Sequence, residues 1–231
     1  MKTLLIRTLS GAIYVATIIL PLLLLPEVFP LIIAAYGVLA MIEYYRLTIG
    51  RGLRLPRCRV LCSGWVFWIF LGTVWLLIPF GLLAFLPAII NRLSPGSGEQ
   101  LTIVMFVLVW THDTFAYLTG RAFGKRPLAP GISPAKTVEG AIGGALFAFL
   151  GAFVVIYWFP LPEPGFLFWP LGALAVVLFA NLGDLAESKL KRLAGVKDSG
   201  TIMPGHGGIF DRFDAILLVV PCWIVLVMLF A

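Results

Sequence analysis

"VLCSGWVFWIFLGTVWLLIPFGLLAFLPAIIN", residues 60–91, runs for 32 residues without a Lys, Arg, Asp or Glu. A helix crossing the hydrocarbon core of a bilayer needs about 20 residues, so the run is long for one crossing and short for two. Pro79 and Pro87 allow either a span followed by an interfacial piece or a hairpin of two spans. The choice sets the sidedness of everything after it. With one crossing, Lys2, Arg7, Arg46, Arg51, Arg54, Arg57, Arg59, Arg121, Lys125, Arg126, Lys136, Lys189, Lys191, Arg192, Lys197 and Arg212 share one side, 16 of the 17 basic residues, and only Arg92 lies opposite. With a hairpin, nine basic residues move to the outer face and eight stay inside. Lys and Arg concentrate in cytoplasmic loops. The sequence therefore predicts one crossing over 60–91 and seven spans, with the N-terminus in the cytoplasm and the C-terminus outside.

The other apolar runs have matching lengths, at 8–26, 28–42, 140–162, 164–183 and 215–231, and 100–123 is apolar apart from "THD" and its basic end. Of 231 residues 61% are hydrophobic and 12% charged, with a mean hydropathy of +1.03, which excludes a water-soluble domain. Because charge-free runs recur along the whole chain, the expected fold is an all-α polytopic membrane protein of about seven transmembrane helices; its long loops 121–139 and 184–214 both fall on the cytoplasmic side, where a cytoplasm-facing active-site cleft is expected. It is expected to form a single integral membrane domain over 1–231, with N-terminal helices in 1–100 and the chemistry in 101–231. The start, "MKTLLIRTLSGAIYVATIILPLLLLP", has the basic head of a signal peptide but no clear small-residue cleavage site, so it reads as a retained span. Cys58, Cys62 and Cys222 lack the further ligands of a structural zinc site and read as apolar residues.

Seven of the eleven acidic residues, Asp113, Glu139, Asp184, Glu187, Asp198, Asp211 and Asp214, gather in or beside the loops 121–139 and 184–214. Asp113 lies within an apolar run, where an ionised group costs about 2.5–3.5 kcal/mol on insertion scales unless paired or hydrated. It reads as a helix-locking pair or as a ligand in a polar cleft, with Tyr117 following at i+4 on the same face. In "GKRPLAPGISPAKTVEG", Lys125, Arg126, Ser133, Lys136 and Thr137 collect around prolines and glycines before a helix start, which suits a phosphate as well as it suits ordinary loop charge. Further on, Asp184, Ser188 and Lys191 form one helical stripe, and Glu187 with Lys191 is an i,i+4 pair that surface stabilisation alone would explain. Asp198, then Asp211 and Asp214 at i, i+3, add more carboxylates. Clustered carboxylates repel unless protonated or bridged by a cation, and hard oxygen donors suit Mg²⁺. Arg212 and Lys197 would help balance them. His206 in its Gly-Gly turn is weak as a ligand or acid, and His112 reads as structural.

At these residues the chain resembles the phosphatidate cytidylyltransferases, the CDP-diacylglycerol synthases. Their signature is matched by Ser188, Lys191, Arg192, Lys197, Asp198, His206, Gly207, Gly208, Asp211, Arg212 and Asp214, in register over 27 positions. Asp113, Thr114, Tyr117, Gly120, Ser133, Pro134, Lys136, Thr137 and Gly140 extend the likeness, while Met203 and Ala135 depart from the usual pattern without removing a ligand. The resemblance implies transfer of the cytidylyl group of CTP to phosphatidate, giving CDP-diacylglycerol and pyrophosphate for phospholipid biosynthesis, at the cytoplasmic side of a bacterial inner membrane. It implies catalytic roles for Asp184, Ser188, Lys197, Asp198, His206, Asp211, Arg212 and Asp214. Substrate contacts would come from Asp113, Tyr117, Lys125, Ser133, Lys136, Thr137, Lys191 and Arg192. Asp184, Asp198, Asp211 and Asp214 would hold Mg²⁺, alone or with a second divalent or monovalent cation. Expected partners are CTP, phosphatidate and membrane lipid, with a homodimer allowed and nucleic acid excluded. Three rivals compete. A CDP-alcohol phosphotransferase needs an aspartate spacing absent here, a CTP-dependent polyprenol kinase differs in its products, and an ion-coupled transporter would spread its polar groups through both halves.

Overall fold

A computed structural model describes residues 2–51, 64–158, 165–205 and 207–230. Arg54, Arg57, Arg59, Cys58, Cys62 and His206 lie outside the described residues. The helices are α1 (Lys2–Leu24), α2 (Phe29–Thr48), α3 (Gly64–Gly72), a π-helical turn (Thr73–Leu77), α4 (Ile78–Ala84), α5 (Leu86–Leu93), α6 (Gly98–Phe123), α7 (Val138–Trp158), α8 (Phe168–Leu193) and α9 (Phe210–Phe230). Among the described residues seven segments are long and apolar enough to cross a membrane: Ile6–Leu24, Phe29–Thr48, Phe67–Ala84, Gly98–Phe123, Val138–Tyr157, Phe168–Leu193 and Phe210–Phe230. The chain is an all-α polytopic membrane protein.

The long run at 60–91 contributes one of these segments. Helix continues from α3 through the π turn into α4, breaks at Phe85, and restarts as the short α5. Prolines account for both irregularities. Pro79 brings no N–H to the ladder, and just before it the bonding widens so that the Ile78 N–H donates to the Thr73 carbonyl. Pro87 stands in the first turn of α5, where a missing N–H costs nothing. Gly72 lets α3 lie against Tyr44 of α2, whose hydroxyl donates to the Trp68 carbonyl at 3.1 Å.

The connection after α6 carries a short β-hairpin, on which the sequence reading made no prediction. Pro127–Ala129 (β1) and Ser133–Thr137 (β2) pair antiparallel, Pro127 opposite Thr137 and Ala129 opposite Ser133. Residues that precede proline are biased to extended backbone, and Ala129 and Ser133 precede Pro130 and Pro134. A two-stranded sheet consists only of edges, where proline is tolerated.

The chain forms two compact units. The first comprises Met1–Ala84 and Glu187–Leu217. Its core is aromatic. Phe213 meets Tyr14 (5.7 Å between ring centroids), Tyr36 (5.3 Å) and Phe80 (5.0 Å), and Phe210 meets Trp75 (5.7 Å) and Tyr44 (6.1 Å). The second comprises Phe85–Ala186 and Leu218–Ala231. There α6 and α7 approach closely because α7 presents glycines. A Cβ on Gly144 would lie 2.7 Å from the His112 carbonyl oxygen and one on Gly140 2.7 Å from that of Ala116, while Phe115 and Phe147 stack at 3.6 Å. Small residues allow such approach where lipid supplies no hydrophobic drive between helices.

Candidate active site

In the first unit the acidic motif is built on the start of α9. One helical turn separates Phe210 from Phe213 and Asp211 from Asp214, so seating the two rings in the aromatic core turns both aspartates to an adjacent face. Asp211 is buried, 4% of its side chain exposed, and its oxygens are heavily engaged. Lys191 Nζ donates to Oδ1 at 2.7 Å, and the backbone N–H groups of Ser199 and Gly208 donate to Oδ2 at 2.9 and 2.7 Å. These bonds and the N-terminus of α9 hold the charge at the membrane mouth. Gly207, at φ +87°, is shaped to the same carboxylate, since a Cβ there would lie 2.6 Å from Asp211 Oδ2.

Lys191 also faces Glu187, one turn earlier on α8, with Nζ 2.7 Å from Oε2. Glu187 has no exposed side-chain surface, and its Oε1 is buried without a hydrogen-bond partner among the described residues. Asp214 is half-buried, its Oδ1 accepts from the Ala215 N–H at 2.8 Å, and its carboxylate comes within 4.8 Å of that of Glu187. Two close carboxylates, one with a buried free oxygen, fit a hard divalent cation. Ser188 is buried beside them in sequence, while Lys197 and Asp198 are exposed on the following loop. The exposed Arg192 donates from Nη1 to the Val196 carbonyl at 3.1 Å, at the end of α8. That end closes on Gly195 at φ +70°, with the Val196 N–H returning to the Lys191 carbonyl at 2.9 Å. The half-buried Arg212 offers its carbonyl to the Tyr14 hydroxyl at 3.2 Å, and its Nε is buried without a hydrogen-bond partner among the described residues.

In the second unit the hairpin brings Lys136 to Asp184 of α8 as an ion pair. Two caps support it. The Thr137 hydroxyl accepts from the Gly140 N–H at 3.1 Å, as an N-cap of α7 does. Glu139 gathers the N–H groups of Lys125 and Arg126 at 3.0 and 3.1 Å and Arg126 Nε at 2.9 Å. Lys125 and Ser133 are placed exposed and half-buried on this element. Asp113 is half-exposed at 51%, and its Oδ1 lies 3.0 Å from His112 Nδ1. His112 is buried, with Nε2 3.0 Å from Asn181 Nδ2. Asn181 can only donate from that nitrogen, so Nε2 accepts and Nδ1 carries the proton toward Asp113. Tyr117 is exposed, its hydroxyl accepting from Arg121 Nη1 at 3.4 Å.

The sequence reading gave no site role to two carboxylates that the structure buries, Glu187 and Glu43. Glu187 passed for half of a surface pair, yet it is fully buried. Glu43, 2% exposed in α2, received no reading at all, although a carboxylate inside an apolar helix is the signal that singled out Asp113.

A family model described as the cytidylyltransferase family matches residues 70–230. The chain is similar to the phosphatidate cytidylyltransferase of Haemophilus influenzae, 44% identical over 131 residues that cover 55% of this chain and 46% of that protein. The Bacillus subtilis protein of the same name is 47% identical over 133 residues, covering 57% and 49% respectively. That of Staphylococcus aureus is 44% identical over 128 residues, covering 54% and 48%. The chain thus spans about half the length of the curated relatives it matches.

Proposed function

The chain belongs to the cytidylyltransferase family, and from that premise we propose that it transfers the cytidylyl group of CTP to phosphatidate, leaving CDP-diacylglycerol in the membrane and releasing pyrophosphate. The observation that carries this is the grouping of Glu187, Lys191, Asp211 and Asp214, inside the matched segment and bearing charges of both signs. A phosphate oxygen of phosphatidate attacks the α-phosphorus of CTP. The new P–O bond forms as the bond to the β-phosphate bridging oxygen breaks, and the electron pair leaves with pyrophosphate. The attacking oxygen is already anionic near neutral pH, so the chain's task is to neutralise and align charge.

Lys191 holds positive charge inside the site, oriented by Asp211 and Glu187 together. Lys197 and Arg192 are exposed, where phosphates approaching from water would meet their charge. Glu187 and Asp214 are the carboxylates that would hold a divalent cation, Mg²⁺ by donor chemistry, which would offset charge on the triphosphate. Asp184 and Asp198 keep the metal role that the family resemblance assigns to them, as do Asp113, Tyr117, Lys125, Ser133, Lys136 and Thr137 their substrate role, while Asp211, its oxygens engaged by Lys191 and two backbone N–H groups, orients that lysine in place of binding the cation. The distribution of basic residues supports a site on the cytoplasmic face of the membrane, where CTP arrives from water and phosphatidate from the leaflet.

The test uses the purified chain, residues 1–231, in lipid-containing micelles, with labelled CTP, phosphatidate and graded Mg²⁺. CDP-lipid and pyrophosphate are expected in equal amounts. CDP with a newly phosphorylated lipid would instead establish kinase chemistry, and absence of any CDP-lipid at saturating Mg²⁺ would overturn the proposal.

A further inference from the structure

Glu43 is a buried carboxylate that the reaction as described does not use. Its Oε2 accepts from the Phe210 N–H at 2.9 Å and from the Ser199 hydroxyl at 3.2 Å, while Oε1 is buried without a hydrogen-bond partner among the described residues. Gly200 and Gly208 make room for it, since a Cβ on either would collide with the Glu43 carboxylate. Burying a carboxylate among apolar helices is unfavourable unless donors meet it. An apolar side chain at this position of α2 would carry no such cost. What the carboxylate gains is a hold on both ends of one loop.

Those ends are the ones that matter to Asp211. Ser199 and Gly208 supply its backbone donors, Phe210 precedes it, and Lys191 links it to Glu187. A second hold comes from α1, where Arg7 Nε donates to the Gly205 carbonyl at 2.8 Å and Ser10 Oγ to that of Pro204 at 3.0 Å. Arg7, Ser10 and Glu43 all precede the family-matched segment 70–230.

We propose that Glu43 is a positioning residue for the candidate site: by binding the Ser199 hydroxyl and the Phe210 amide it holds both ends of the connection between them, and through those ends it orients Asp211, Lys191 and Glu187. The N-terminal helices are thereby part of the site's framework as well as its membrane anchor. The consequence for turnover rests on the proposed cytidylyl transfer, whereas the hold on the loop does not.

The test compares the wild-type chain, residues 1–231, with Glu43→Met, Glu43→Gln and Ser199→Ala. Hydrogen–deuterium exchange is read over 199–210 and over α2 and α6, beside the Mg²⁺ dependence of CDP-lipid formation. Glu43→Met fills the space but accepts no hydrogen bond. It is expected to speed exchange in 199–210 while α2 and α6 stay protected, and to raise the half-saturating Mg²⁺ by about 10–100-fold, as loss of a partner orienting metal ligands does. Glu43→Gln keeps an acceptor oxygen and is expected to lie between Glu43→Met and wild type. Ser199→Ala should shift exchange in the same direction by less. Wild-type exchange over 199–210 in both Glu43→Gln and Ser199→Ala overturns the proposal, including when Glu43→Met fails to fold. Faster exchange with unchanged Mg²⁺ dependence overturns the link to the site. If wild type makes no CDP-lipid at all, the reaction reading fails, and the exchange data alone decide the role of Glu43.

Discussion

The two aspartates of "FDRFD" stand one helical turn apart and do different work. Asp211 is saturated by Lys191 and two backbone N–H groups, so it organises the loop and the lysine. Asp214 keeps part of its surface exposed and approaches Glu187. Asp211→Asn removes one partner of a buried ion pair and is expected to cost about 3–5 kcal/mol of stability, together with turnover. Asp214→Asn should abolish Mg²⁺-dependent turnover while costing clearly less stability than Asp211→Asn, because Asp214 is only half-buried. Thermal unfolding in detergent beside the cytidylyl-transfer assay separates the two. Equal destabilisation of both variants would contradict this division of labour. Sequence spacing showed that the carboxylates share a face. It did not show which would be enclosed, because enclosure depends on the amides of Ser199 and Gly208, which a loop folds back to meet.

At the scale of elements, the close approach of α6 and α7 and the hairpin before α7 set where Lys136 stands. Thr137→Val deletes the α7 N-cap and is expected to cost about 1 kcal/mol. Gly144→Val forces a side chain toward the His112 carbonyl and is expected to cost about 1–3 kcal/mol, the usual range for overpacking. Unfolding of the purified variants should therefore rank Gly144→Val below Thr137→Val, and the reverse order would mean that helix spacing is not set by these glycines. The helices were legible from apolar runs, down to the single segment in 60–91 whose proline positions mark its π turn and its end. The hairpin was not. Prolines and glycines in "GKRPLAPGISPAKT" announce turns, but the pairing of Pro127 with Thr137 is a choice between extended conformations that local sequence leaves nearly equal.

For the whole molecule, the distribution of Lys and Arg predicts a definite sidedness. In a chain whose cysteines are all replaced by alanine, Gly131→Cys and Lys189→Cys are expected to react with a membrane-impermeant maleimide only from the cytoplasmic side, and Gln100→Cys only from the opposite side. Labelling of Gly131→Cys and Gln100→Cys from one side would require a different number of crossings between them. The sequence by itself determined the membrane class, the seven segments and the family signature at 188–214. Crossing a bilayer is decided segment by segment, by length and by apolar content, and a motif is read in register along one strand of text. Only the tertiary structure decided that Glu187 is enclosed, that Asp211 is spent on lysine and amides, and that Glu43 grips a loop 156 residues further along the chain. The cost of burying a carboxylate is met by donors that arrive through folding, and their identity is not written near it in the sequence.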